Sequence, residues 1–155
     1  MRIASLAGWL SLSALSLLAA EITGTWKLDV AKSKLAPIRT ITSETMRIVE
    51  TGPKVYRTIF DETTKTGDSQ HIEIIRYQDG KEHPVEGVNV PPGYVEITKG
   101  SPDGSTRNVV RKKDGKVVAE LNVEILPDGK TMTVHQKGVN TKGEAFDETL
   151  VFERQ

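Results

Sequence analysis

The 155-residue chain has no cysteine, so disulfides and thiolate metal sites are excluded and the fold must rest on its own core. It has no excess of either charge, with 21 basic against 21 acidic residues. Neutrality argues against nucleic acid as a partner, because a binder needs a basic field to displace counterions from phosphates. No catalytic or metal-binding spacing stands out. Helical periodicity is missing beyond residue 20, one turn around Val30 to Leu35 ahead of Pro37 excepted.

A long apolar run occurs only at the start, from Ile3 to Leu18 behind Arg2, ending in Ala19-Ala20 before Glu21. This pattern predicts a secretory signal over residues 1–20, cleaved after Ala20, with Ala19 the alternative because Leu18 is not small. A membrane anchor is the rival reading, but the run is short for a bilayer span. No cysteine follows it to be lipidated. The expected location is secreted or periplasmic. Loss of Arg2 with the signal leaves one more acidic than basic residue. Residues 21–155 are enough for one domain and too few for two, and the expected state is a monomer.

What this segment does have is evenly spaced turn chemistry. Asp-Gly occurs at Asp79-Gly80, Asp103-Gly104, Asp114-Gly115 and Asp128-Gly129, with a reversed copy at Gly67-Asp68. Thr51-Gly52-Pro53, Pro91-Pro92-Gly93 and Lys142-Gly143 fill the gaps. Asp-Gly suits two-residue hairpins, whose turn needs positive φ at both central positions. Between the turns the residues are β-branched, aromatic and alternating, which predicts strands near 22–30, 42–50, 54–61, 69–78, 82–87, 94–99, 105–112, 116–125, 130–137 and 144–154. Ile22, Gly24, Trp26, Leu28 and Val30 share one face of the first. Val117, Ala119, Leu121, Val123 and Ile125 share one face of the eighth, and both faces should be buried. The expected fold is all-β, a single antiparallel up-and-down barrel of about 8–10 strands, since closure removes exposed edges. A sandwich would need long crossovers, and nearly every link here is short.

Gly24-Thr25-Trp26 on the first strand, with Arg154 ending the last, resembles the lipocalin and fatty-acid-binding-protein superfamily of calycin barrels. The stretch Gly24 to Lys34, the stretch Tyr77 to Pro84 and the closing Leu150-Val-Phe-Glu-Arg-Gln155 are similar to secreted bacterial lipocalin-like proteins, a group for which the likeness supplies no function. The resemblance implies that Trp26 closes one barrel end and that Arg154 lies across its indole as a cation–π partner. It also marks departures. Leu150 and Phe152 stand where intracellular fatty-acid binders carry an Arg and a Tyr that grip a lipid carboxylate. Only Ala31 to Thr42 replace a helical lid, so any mouth should be less covered.

Other candidate chemistry is thin. His71 and Glu73 share a strand face, a spacing that also arises as a surface pair, and no metal site is expected. Gly67-Asp68-Ser69 lies in a hairpin turn and lacks the strand-to-helix context of a lipase nucleophile. Arg107, Arg111, Lys112, Lys113 and Lys116 straddle the Asp114-Gly115 hairpin and read as a solvated tip. Arg47, Arg57 and Arg76 fall mid-strand, where they either enter the lumen or cover apolar surface from outside, the second being favoured.

These observations lead to an exported, non-enzymatic barrel that binds a small apolar or amphipathic molecule in a lumen lined by Met46, Ile48, Tyr56, Phe60, Tyr77, Leu150 and Phe152, with no cofactor. A filled barrel contacting another envelope protein through its rim loops is the alternative, and an internal cavity separates the two. An enzyme would require Tyr56, Tyr77, Arg57 and Glu73 to converge. With no carboxylate anchor, the lumen should favour uncharged apolar ligands over fatty acids, unless Arg47 or Arg57 points inward.

Overall fold

The computed structural model describes residues 21–155. The expected signal, residues 1–20, lies outside the described residues. The chain forms β1 (Gly24–Leu28), β2 (Ile41–Gly52), β3 (Val55–Thr64), β4 (Ser69–Tyr77), β5 (Glu82–Pro84), β6 (Glu86–Val88), β7 (Tyr94–Gly100), β8 (Thr106–Lys113), β9 (Lys116–Ile125), β10 (Thr131–Val139) and β11 (Ala145–Arg154). All pair antiparallel in one sheet of order β5-β7-β8-β9-β10-β11-β1-β2-β3-β4-β6. This is a nearly closed all-β barrel.

The eleventh strand comes from the expected fifth, which divides at Val85. β5 pairs with β7 and β6 pairs with β4, so one short segment lies across the seam between β4 and β7, and the Val85 N–H donates to the Tyr94 carbonyl at 2.9 Å. Its closeness to β4 requires glycine at position 87. There φ is +152°, and a Cβ would sit 1.8 Å from the Glu73 carbonyl oxygen.

Turn chemistry is more varied than the repeated dipeptide implies. Only Asp114-Gly115 has positive φ at both residues (50° and 75°), joining the register pair Lys113 and Lys116 as a two-residue hairpin. At Gly104 and Gly129 the glycine alone is left-handed, and each N–H closes a turn on a carbonyl three residues back. The segment Val30 to Leu35 is a turn followed by an isolated bridge, with no helix.

One end of the barrel is plugged. Trp26 is fully buried, packed with Ile22, Leu28, Met132, Leu150 and Phe152, and its indole N–H donates to the Ile22 carbonyl at 2.9 Å. Arg154 faces it in register, with its guanidinium carbon 4.3 Å from the ring centroid. The same guanidinium donates to the carbonyls of Gly129 at 2.9 Å and Thr23 at 2.7 Å, and to that of Glu21. The plug therefore satisfies its own cation: the ring takes one face and three carbonyls take the edge.

Two valines expected inside are outside. Val30 is 43% exposed because β1 ends at Leu28, and Val117 is 54% exposed. For Val117 the reason is a register shift after Arg111, where Lys112 pairs with Val117 and Val118 is skipped. A bulge of one residue inverts facing beyond it.

Candidate functional site

Above the plug lies a cavity of about 280 Å³ whose wall is apolar in the middle and charged at both ends. The apolar belt includes Met46, Ile48, Phe60, Ile74, Val109, Leu121, Met132 and Phe152. It follows from alternation: even-numbered residues of β2, β3, β4, β10 and β11 and odd-numbered residues of β8 and β9 face inward.

The same parity carries charge inside. Arg107 is 7% exposed on the cavity wall. Its Nε donates to Gln78 Oε1 at 2.7 Å and its Nη1 to the Gly104 carbonyl at 3.0 Å, and its guanidinium lies 5.7 Å from the Tyr56 ring centroid. Among the described residues no carboxylate pairs with it. Burial pulls its pKa below the ordinary arginine value, with Tyr56 opposing.

Across the seam, Glu96 of β7 meets Arg76 of β4 at 3.3 Å and Arg111 of β8 at 2.5 Å. Burial alone would raise the Glu96 carboxyl, but the two guanidiniums prevail and hold it below its ordinary value. This trio ties the β4 edge to the β7 edge where backbone pairing is indirect.

A third cluster forms at the far end. The strap between β1 and β2 bonds to β11 through Lys34 and Thr149 (2.7 and 2.9 Å) and to the β3–β4 turn through Thr40 and Lys65 (2.8 Å). Glu148, 3% exposed, accepts from the Ala36 N–H at 3.0 Å, Arg39 Nη1 at 2.8 Å and Gln136 Nε2 at 2.6 Å. Arg39 also donates to Glu44 at 2.5 Å. Glu62, directly opposite Glu44 in register, lies on the same wall.

Burial pushes the Glu44 carboxyl from 4.5 up to about 7, against the pull of Arg39 and with Glu62 and Glu148 adding to the rise. The folded state therefore holds this proton more tightly than the unfolded chain does. The Glu44 contribution to stability should be greatest below the ordinary carboxylate pKa and should decline as pH rises through about 7. Thermal unfolding from pH 4.5 to 7, compared with Glu44→Gln, measures it; an unchanged profile in the variant contradicts the assignment.

Of the residues expected to line the lumen, Met46, Ile48, Tyr56, Phe60 and Phe152 are on the cavity wall. Leu150 faces inward but is packed into the plug, and Tyr77 is not on the wall. Inward positions of β4 are Ile72, Ile74 and Arg76, so Tyr77 points outward, where it stacks on His83 with centroids 4.2 Å apart. The basic run on β8 needs the opposite correction: Arg107 and Arg111 are in the wall, and only Lys112 onward forms the tip. Arg76 is also inside, while Arg47 and Arg57 are exposed on the outer face, Arg57 lying 3.7 Å from Glu73.

The residues an enzyme would need do not converge, since Tyr56 is inside and Tyr77, Arg57 and Glu73 are outside. His71 spends its ring nitrogens on Asp61 at 2.7 Å and Glu73 at 3.2 Å. Among the described residues no group of three His, Asp or Glu side chains is arranged to hold a metal.

No family profile and no curated protein matches the sequence. The fold does match a solved structure, the wild-type fluorescent protein UnaG, with a TM-score of 0.58 over 86% of this chain and 97% of that one. The chain has a calycin-like fold. At 16% identity the likeness to UnaG concerns the backbone alone.

Proposed function

We propose that this protein binds a small amphipathic molecule in its lumen, with an anionic group at Arg107 and an apolar body along the belt. The observation that carries the reading is a buried arginine, 7% exposed, without a carboxylate partner among the described residues, on the wall of an internal cavity. A buried cation is costly unless paired, and a ligand carboxylate or sulfonate supplies the missing charge through charge-assisted hydrogen bonds. The preference inferred from the absent anchor at positions 150 and 152 is thereby reversed. An anion has a partner, supplied by β8 instead of the last strand.

The cavity also favours this reading over a filled barrel. A packed core has few voids larger than a water molecule, whereas this one approaches the low end of small-ligand sites. NMR titration with dodecanoate tests it. Methyl signals of Ile74, Val109, Leu121 and Met132 should shift saturably, with those of the exposed Val30 and Val139 unmoved. Shifts confined to exposed residues, or none, contradict it. Export of the mature chain, residues 21–155, remains part of the proposal on the strength of the first 20 residues.

A further inference from the structure

The lumen has a second polar pole, at the opposite end from Arg107. Along β3 the inward residues run Glu62, Phe60, Thr58 and Tyr56, and Arg107 lies beside Tyr56. Six residues of strand, about 20 Å of rise, separate Glu62 from Tyr56. Between the poles the wall is mainly apolar, interrupted by Thr58, Thr98 and the Arg76–Glu96–Arg111 trio at the seam.

Two groups at this far pole lack partners among the described residues, and they are complementary. The Glu62 carboxylate, on the cavity wall, neither accepts a hydrogen bond nor forms an ion pair, and burial raises its pKa against the pull of Arg39. Arg39, on the same wall with its side chain only 10% exposed, gives its Nη atoms to Glu44 and Glu148 and leaves a buried Nε–H with no acceptor. One site thus offers an unfilled acceptor and an unfilled donor. A hydroxyl or carboxamide satisfies both, because each can donate and accept. A methyl end satisfies neither.

We infer that the ligand is bifunctional, carrying an anionic group for Arg107 and a neutral hydrogen-bonding group for Glu62 and Arg39, separated by an apolar spacer. This rests on the lumenal binding proposed above and narrows its ligand class to molecules polar at both ends, such as ω-hydroxy acids. After the reach of the two side chains, about 4 Å each, is subtracted from the strand length, about 12 Å remain, which an extended chain of about nine to eleven carbons spans.

The test is calorimetric titration of the protein, above the pKa of Glu44, with unsubstituted and ω-hydroxy fatty acids of matched length. The hydroxy acid should bind at least about tenfold tighter at the best-fitting length. In Glu62→Leu, which breaks no internal hydrogen bond, that advantage should vanish or invert while the unsubstituted acid still binds. Equal or weaker binding of the hydroxy acid by the unmodified protein overturns the inference and leaves lumenal binding intact, since a hydroxyl buried without partners is penalised. Stronger binding that survives Glu62→Leu also overturns it, by placing the hydroxyl elsewhere. If neither acid binds at any length, the broader reading falls with it.

Discussion

Replacing Trp26 by alanine should destabilise the protein by about 3–5 kcal/mol, as large-to-small changes in packed cores do. The side chain is 0% exposed, so the stabilisation from burying the whole indole is lost and a cavity opens beneath Phe152 and Met132. Further losses follow from geometry. The Ile22 carbonyl loses its indole donor, and Arg154 loses the ring face it covers at 4.3 Å. Small domains have a total stability of about 5–15 kcal/mol, so the variant should be near the edge of folding. Trp26→Phe keeps most of the apolar volume but not the N–H and should cost less. Denaturant titration of both variants measures the difference, and a loss under about 1 kcal/mol for the alanine would mean the ring does not plug the barrel.

Trp26 was accessible from sequence because its signals agree: it sits on the apolar parity of its strand and in the Gly24-Thr25-Trp26 step, and the structure adds the reason for that glycine, a φ of +124° and a Cβ position 2.7 Å from the Arg154 guanidinium. Strand boundaries were legible for the same reason. Alternation and turn residues recur together through β2, β3, β4 and β7 to β11, and each of these but β11 ends within a few residues of a Gly, Pro or Asp signal. The seam was less so, since three-residue strands such as β5 and β6 carry no periodicity, and only the pairing of Gly87 with β4 shows why the segment divides.

The charged half of the site was misread for a physical reason. A run such as Arg107-Asn-Val-Val-Arg111-Lys-Lys looks solvated by composition, yet Arg107, Val109 and Arg111 are one face of a strand, and that face is the lumen. Parity, extended from the inward Val123 partner of Arg107 on β9, would have placed it. Arg39 gives no such signal. It lies in a strap without regular pairing and reaches Glu44 and Glu148 only because the barrel brings β2 and β11 to either side of it. Glu44 and Glu148 themselves sat on inward parity, but a glutamate among threonines reads as surface until a buried arginine is found to meet it.

Arg107→Leu should separate the ligand's charge from its apolar body. Removing a buried cation with no carboxylate partner leaves no opposite charge stranded, which offsets the loss of its donors to Gln78 Oε1 and the Gly104 carbonyl, so the net change in stability should be small. Charge-assisted hydrogen bonds contribute about 1.5–3 kcal/mol, so loss of the guanidinium should weaken a bound carboxylate by roughly ten- to a hundredfold. An alcohol of the same chain length, which makes no charge-assisted bond to Arg107, should be little affected.

Calorimetric titration with dodecanoate and dodecanol, on the unmodified protein and on Arg107→Leu, tests the account most directly. The prediction is tighter binding of the acid by the unmodified protein, with that order lost or inverted in the variant. The account is contradicted if the alcohol binds as tightly as the acid to the unmodified protein, or if the acid keeps its advantage without Arg107.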